Sequence, residues 1–170
     1  MNEELNTKQK QLNGALNSTE RRIFMKNTRI EALRNFLIEN GDYTAEELQE
    51  IEIAEGYDEN IFEVESQEYM VLTDEEADEK TSESINDTVW AFNADFIIEH
   101  SKVLDFDDAS ETVVKAISEM CESGNEAMKK LVDDMDEFVE DAISADGRGH
   151  FLNTYDGEEY EQDNYYIYKM

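Results

Sequence analysis

Residues 60–72 have the sequence NIFEVESQEYMVL, in which apolar and charged side chains alternate over NIFEVES and the run EYMVL follows a short polar break at Ser66–Gln67. Two strand-like runs separated by a short break predict a β-hairpin. The C-terminal stretch DNYYIYKM, residues 163–170, also has the pattern of a strand. A terminal strand needs a partner and an isolated hairpin is marginally stable, so we expect one antiparallel sheet of three or more strands.

Helical spacing of the apolar residues covers much of the remaining chain. A pattern that begins near Ser18 ends at Gly41, a residue suited to a C-terminal cap, and Thr44 with Glu47 forms a capping box for a short helix. Further helical patterns cover residues 73–92, 93–100, 110–124 and 125–147. We therefore predict an α+β fold in which several helices pack on a small antiparallel sheet, formed by a hairpin at about residues 60–72 and the C-terminal strand.

Charge is distributed unevenly along the chain. The 170 residues include 44 acidic and 14 basic side chains, a formal net charge of −30, yet residues 1–34 hold seven basic and only four acidic side chains. We expect a weakly basic N-terminal tail and helix over residues 1–40, followed by an acidic α+β domain over residues 41–170. Nucleic acid repels such an acidic domain, so its expected partners are basic protein surfaces.

Composition also argues against several classes of protein. No apolar run approaches the length of a membrane span and no signal-peptide core is evident, so we expect a cytoplasmic protein with no membrane contact. Cys121 is the single cysteine, which excludes disulfides and cysteine-based zinc clusters. Its place on an apolar helical stripe predicts a buried side chain.

The stretch ADGRGHFLNTYDGEEY, residues 145–160, has the composition of an active-site or metal-binding loop. In that hypothesis His150 is a base or a ligand, with Asp146 and Asp156 as carboxylate partners. A metal site needs several convergent ligands, and nucleophilic catalysis needs a serine or cysteine beside a base. No other part of the sequence is predicted to converge on His150.

A structural interpretation of the same stretch is stronger. Gly147 follows the predicted long helix where a cap is needed, and the Asp-Gly pair at 156–157 suits a tight turn. Arg148 is expected to pair with a neighbouring carboxylate. We therefore expect a non-enzymatic protein with no catalytic residue, no cofactor and no metal site.

Three segments, EYMVLTDEEADE, VWAFNADFI and ADGRGHFLNTYDGEE…YYIY, resemble a module of small acidic proteins encoded by phages and prophages. The resemblance covers about residues 57–168, and the stretch before about Asn40 lies outside it. Because the function of that family is largely unknown, the resemblance implies a phage setting and no particular mechanism.

Acidic side chains are denser than solubility requires. In the predicted long helix, i,i+4 spacing relates Asp133 to Glu137, Asp136 to Glu140, and Glu137 to Asp141, and each like-charge pair costs a few tenths of a kcal/mol. A protein that keeps such repulsion is expected to use it in binding. The candidate partner-binding residues are Asp74, Glu75, Glu76, Asp107, Asp108, Asp133, Asp134, Asp136, Glu137, Glu140 and Asp141.

These patterns favour a phage-encoded anti-defence inhibitor that binds stoichiometrically, as a DNA mimic, to a CRISPR nuclease or a restriction enzyme. The alternative is a phage regulatory or scaffolding protein that binds a host factor through the N-terminal helix and the strand bearing Tyr165, Tyr166 and Tyr168. The N-terminal helix has an apolar stripe that should be buried, either against the acidic domain or in a homodimer. Its members are Ile23, Phe24, Ile30, Leu33, Phe36 and Leu37.

Overall fold

The computed structural model describes residues 18–51 and 53–170, so the predicted tail over residues 1–17 lies outside the described part. Seven α-helices are described: α1 (Ser18–Glu39), α2 (Glu47–Glu50), α3 (Asp74–Asp87), α4 (Ala94–Glu99), α5 (Asp108–Ser118), α6 (Asn125–Lys129) and α7 (Met135–Leu152). Short 3-10 helices lie at Val89–Ala91 and Cys121–Gly124. The strands are β1 (Ile53–Glu55), β2 (Ile61–Val64), β3 (Gln67–Leu72), β4 (Tyr160–Gln162) and β5 (Tyr165–Lys169).

All five strands form one antiparallel sheet in the order β1-β2-β3-β5-β4, which confirms the predicted α+β fold. The predicted hairpin is β2–β3, in which Val64 is opposite Gln67 and Glu65 takes a positive φ of 58° at the turn. The C-terminal strand β5 pairs with β3, placing Val71 opposite Ile167. Neither three-residue strand, β1 or β4, was predicted.

The described residues fall into two compact units, one containing the chain up to Thr73 together with Tyr160–Met170 and the other spanning Asp74–Glu159. This division differs from the expected boundary at residue 40. Helix α1 belongs to the same unit as the sheet because its apolar stripe packs there. The buried core joins four residues of α1 to residues of β2, β3 and β5: Ala32, Leu33, Phe36, Leu37, Phe62, Val64, Val71 and Ile167.

Burial of α1 on its own sheet satisfies the apolar stripe of the N-terminal helix without a second copy of the chain. Leu33 and Leu37 are fully buried, and the Phe36 ring contacts Tyr69 and Tyr160 at centroid distances of 6.3 and 5.0 Å. Ile23, near the start of the helix, remains exposed. The stripe therefore provides no argument for a dimer.

The unit spanning Asp74–Glu159 has a separate helical core. Phe138 of α7 is fully buried, and its ring meets Phe92 and Phe96 at centroid distances of 4.8 and 4.9 Å. Ile85 of α3, Ile97 of α4 and other apolar residues complete this core. As predicted, α4 lies within residues 93–100; the Asn93 side chain accepts the Phe96 N–H at 2.8 Å and caps the helix.

The prediction of one long helix over residues 125–147 is wrong, because two helices, α6 and α7, lie in this region. Asp134 has an extended backbone and caps α7, its side chain accepting the N–H groups of Asp136 and Glu137 at 3.0 and 3.3 Å. Because Asp134 caps a new helix, the backbone helix is interrupted there even though the apolar residues keep a helical period along the sequence. Gly147, the predicted terminus, has non-helical dihedrals of φ 77° and ψ 158°, so the regular helix does end there as predicted, and a short helical segment continues beyond this kink to Leu152.

The helix predicted over residues 110–124 also ends earlier, at Ser118. Val114 is buried, but Val113, Met120 and Cys121 are exposed, so the prediction that Cys121 is buried is wrong. Cys121 takes a positive φ of 52° at the start of a 3-10 helix. This local reversal of φ turns the chain away from the helix before the apolar stripe can continue inward.

Gly149 marks a close approach between α7 and the segment leading to Glu159. A Cβ added at Gly149 would lie 2.4 Å from the Gly157 carbonyl oxygen and 2.7 Å from the Glu158 carbonyl carbon. Both neighbours are backbone and cannot rotate aside. Gly157 has a different role, since it takes a φ of 76° and a Cβ added there would meet no atom within 4 Å.

We expect Gly149→Ala to destabilise this unit by about 3 kcal/mol, because the methyl group forces backbone apart. Gly157→Ala is the matched control, with an expected cost of about 1–2 kcal/mol from the positive φ alone. Urea denaturation followed by circular dichroism would measure both. Equal costs for the two variants would contradict the close approach.

Candidate acidic interface

Negative charge is concentrated in the unit spanning Asp74–Glu159. These residues hold 26 acidic and six basic side chains, a formal net charge of −20. Most of the carboxylates are exposed. The unit therefore has a large surplus of negative charge at its surface.

Basic side chains in this unit are largely committed to local ion pairs. Lys80 pairs with Glu83 at 3.5 Å, Lys129 with Glu126 at 3.3 Å, and Lys115 with Glu111. Lys102 pairs with Asp133, whose carboxylate raises the pKa of the lysine by accepting its hydrogen bond. These ion pairs involve few of the carboxylates, so the surplus of negative charge at the surface remains.

Arg148 has the most extensive pairing. Its guanidinium binds Glu159 through two parallel contacts of 2.8 and 3.0 Å, and its Nη1 lies 2.9 Å from an Asp74 oxygen and 2.8 Å from an Asp78 oxygen. The side chain is only 11% exposed. This confirms that Arg148 pairs with neighbouring carboxylates, and it ties the start of α3 to α7 and to the end of the following loop. Asp74 is therefore a structural residue as well as an acidic one.

Four other predicted binding residues also have structural contacts. Asp134 caps α7, and Asp107 caps α5 by accepting the Ser110 N–H at 2.7 Å. That backbone hydrogen bond lowers the pKa of the Asp107 carboxyl. Asp133 pairs with Lys102, and an Asp141 oxygen lies 3.1 Å from His100 Nε2. These carboxylates stabilise the fold whether or not they meet a partner.

The remaining predicted residues differ in their surroundings. Glu75, Asp108, Asp136 and Glu140 are exposed, and no described residue pairs or hydrogen-bonds with their carboxylates. Glu137 is exposed and attracts Lys102 through space, whereas Glu76 is half-buried. These exposed residues are the predicted ones most available to a partner.

The expected like-charge pairs on the long helix are changed by its interruption. Asp136 with Glu140, and Glu137 with Asp141, share α7 as i,i+4 neighbours. Asp133 precedes the helix, so its predicted i,i+4 relation to Glu137 on one helix is wrong. The local repulsion is smaller than the sequence suggested, since Asp133 precedes the helix and faces Lys102.

The loop considered as an active site is arranged as turn and helix. His150 and Asp146 line one open groove of about 480 Å³, together with Ser84, Phe92 and Phe151 among others. Asp156 does not line this groove; its carboxylate accepts the Asn153 side-chain amide at 2.7 Å and the Glu158 N–H at 3.1 Å. Within residues 18–51 and 53–170, no three His, Cys, Asp or Glu side chains are placed to hold a metal ion.

The tyrosines of β5 are less accessible than expected for an interface. Strand β5 is bonded on both edges, to β3 and β4. Tyr165 and Tyr168 are buried, and the Tyr165 hydroxyl lies 2.7 Å from the Thr28 hydroxyl. Tyr166 is half-buried. A partner that reached Tyr165 or Tyr168 would first have to displace part of the unit that contains the sheet.

Helix caps and free carboxylates should respond differently to substitution. Asp107→Ala and Asp134→Ala should lower the melting temperature, whereas the Asn variants should stay close to wild type because an amide oxygen caps equally well. Glu140→Ala should leave it unchanged or raised, since it removes a like-charge pair. Asp136→Ala should change it little, because the relief of that repulsion is offset by the loss of an acidic side chain from the first turn of α7. Thermal unfolding followed by circular dichroism would compare the six variants. Similar losses for Asp136→Ala and Asp134→Ala would contradict this distinction.

Asp107 also predicts a pH dependence. Its folded-state pKa is lowered, so the contribution of its charge is present above the ordinary aspartate pKa and is lost as pH falls through the lowered folded value. Asp107→Asn should therefore have a smaller loss of melting temperature on acidification than wild type. If the melting temperatures of the two proteins fall equally on acidification, protonation of Asp107 does not contribute to the pH dependence of stability.

Arg148→Met should destabilise the protein by about 2 kcal/mol, because three neighbouring carboxylates lose their shared cation. Adding Asp74→Asn and Asp78→Asn should recover part of that loss by removing the repulsion. Lys129→Met is the matched control; it breaks a single exposed pair and should cost less than about 1 kcal/mol. Urea denaturation would measure all three, and no recovery in the triple variant would contradict the electrostatic origin.

Comparison with known proteins supplies no relative. No protein-family model, no curated protein and no solved structure matches this chain. Among the described residues, no helix has both the length and the apolar character needed to cross a membrane.

Proposed function

We propose that this chain is a non-catalytic inhibitor that binds the basic nucleic-acid-binding surface of a host-defence protein. The observation that carries the proposal is the net charge of −20 over residues 74–159, where the basic side chains are mostly engaged in local pairs. A basic groove would gain from this surface the same attraction that it offers to phosphates. Direct binding of nucleic acid would be repelled.

Several elements together supply the negative field. Carboxylates at i,i+4 on α7 recur about every 5–6 Å, while duplex DNA presents one charge per ~1.7 Å of axis when both strands are counted. One helix alone is therefore too sparse a mimic. Exposed acids on α3, at the start of α5 and on α7 add to one another within this unit, as illustrated by Glu75, Asp108 and Asp136. The mimicry is of charge density and does not require the geometry of a phosphate backbone.

The resemblance of residues 57–168 to small acidic phage and prophage proteins supports a phage origin and a bacterial cytoplasmic setting. A CRISPR nuclease or a restriction enzyme is the target class that combines host defence with a basic DNA-binding groove. Inhibition would be stoichiometric, because a decoy occupies the groove and is not turned over. The alternative, a regulatory or scaffolding protein, would leave DNA binding by its target intact.

Competition tests the proposal. The full chain should displace labelled duplex DNA from at least one member of a panel of purified CRISPR nucleases and restriction enzymes, measured by fluorescence anisotropy. The displacement should weaken as salt is raised, because exposed charges are screened over about 10 Å at 0.1 M ionic strength. Complete absence of displacement across the panel would contradict a DNA mimic.

A matched pair of variants locates the surface. The triple variant Glu75→Gln, Asp136→Asn and Glu140→Gln removes three unpaired carboxylates from residues 74–159 and should weaken displacement by roughly tenfold, at about 0.5 kcal/mol for each charge. The control Glu46→Gln, Glu63→Gln and Glu161→Gln removes the same charge from the sheet-containing unit and should change it little. Equal losses would mean that only net charge matters, and not this surface.

A further inference from the structure

An apolar stripe on α5 and the loop before it is exposed to solvent. Val103, Phe106, Val113 and Met120 have exposed fractions of 73%, 72%, 46% and 54%, and they are four of the eight large hydrophobic residues exposed among those described. Ala109 and Ala116 are exposed between them. Scattered apolar residues need no explanation at a surface, but a cluster within a short segment does.

The spacing of these residues is that of a helix-packing seam. Within the helical run the stripe advances by four, three and four residues, from Ala109 through Val113 and Ala116 to Met120. Phe106 precedes the extended cap residue Asp107, so it is an exposed apolar residue beside the start of the helix and not a position on its face. Glu119 and Met120 keep right-handed helical dihedrals beyond the end of α5, so the residues from Ala109 to Met120 share one helical run. The seam therefore lies along one face of a continuous helical surface.

The neighbouring face of α5 already packs on the core of its own unit. Val114 is buried and Ile117 packs against the same core, as does Leu104 in the preceding loop. The helix is thus apolar on two faces, and only one of them is covered. The apolar surface of α5 therefore extends beyond the part that its own core covers, and the exposed part is available for another contact.

The loop that carries Val103 and Phe106 is held in place. The Val103 N–H donates to the Ser101 hydroxyl at 3.3 Å, the Asp105 N–H to the Ser110 hydroxyl at 3.2 Å, and the Asp107 N–H to the Asp105 carbonyl at 2.8 Å. A loop anchored in this way presents its apolar side chains with less entropy to lose on binding.

Charge around the stripe selects its occupant. Residues 103–122 contain six acidic side chains and one basic side chain, Lys115, which is paired with Glu111. A second copy of the chain has a net charge of −30 and only a weakly basic segment over residues 1–34, so its overall charge opposes binding to this acidic border. A partner with apolar side chains flanked by arginine or lysine would satisfy both the stripe and its acidic border.

We propose that the 103–120 stripe is the docking site for a basic amphipathic helix of the partner protein. The proposal deepens the proposed function and rests on it, since it names the element that the partner contributes. The acidic surface supplies long-range attraction, and the stripe supplies the desolvated contact that gives a complex its lifetime. Such apolar contacts commonly dominate binding energy at the centre of an interface, with charges around them.

The test uses the full chain and three designed helical peptides of roughly two heptads. The first carries leucine at the seam positions and arginine on both flanks; the second replaces leucine by serine; the third replaces arginine by glutamine. Calorimetry should show that the first binds about tenfold more tightly than either of the others, and amide chemical shifts should change over residues 103–120. Phe106→Ser and Val113→Ser should each reduce that preference by several-fold.

Controls are available at exposed apolar residues elsewhere. Tyr57→Ser matches Phe106→Ser, Ile38→Ser matches Val113→Ser, and neither control should change binding. Thermal unfolding would verify that all four variants remain folded, as expected for exposed positions.

Three outcomes would overturn the docking site. If the two arginine peptides bind equally tightly and their binding weakens as salt is raised, the stripe is not the docking site, and the proposal of an acidic decoy is unaffected. If the two leucine peptides bind equally tightly, the arginines contribute nothing, so the partner helix need not be basic and the proposal of an acidic decoy is contradicted as well. Light scattering that shows a dimer dispersed by Val113→Ser would assign the stripe to a second copy of this chain.

Discussion

Three carboxylates converge on one guanidinium, that of Arg148, and the acidic unit depends on this arrangement. Asp74 and Asp78 come from α3, Glu159 ends the segment after α7, and Arg148 itself lies in the last turns of α7. The backbone beside it is packed so closely that only glycine fits at position 149. A unit with a net charge of −20 can keep its helices together because Arg148 and Lys102 pair with carboxylates of separate segments and the apolar core opposes the remaining repulsion.

The same constraint divides the acidic residues into two kinds. Asp107 and Asp134 cap helices, Asp133 pairs with Lys102, and Asp141 contacts the His100 ring. Carboxylates such as those of Asp136 and Glu140 have no partner among the described residues. Charge density alone therefore exaggerates both the repulsion in the fold and the surface left for binding. What remains is still a strongly negative field, and a field of that kind favours a basic partner without naming it.

Recognition in this proposal combines two physical effects that act over different distances. Exposed carboxylates attract a basic surface over a Debye length, but they are screened by salt and individually weak. The stripe along α5 acts only at contact, where burial of Phe106 and Val113 would add an interaction that salt does not screen. A decoy with both features can compete with DNA for a groove and also remain bound in it.

The sequence by itself determined the sheet hairpin, the C-terminal strand, the helix over residues 18–39 and the α+β class, because these depend on local period and caps. It also showed the charge surplus. Strand β4 was missed although the Asp163–Asn164 turn, with both φ values positive, signals a hairpin. Only the tertiary structure decided which face of α5 is covered and that α1 packs on its own sheet. It also decided which carboxylates cap helices or form ion pairs. Those outcomes depend on contacts between residues far apart in sequence, such as Arg148 with Asp74, which no local pattern encodes.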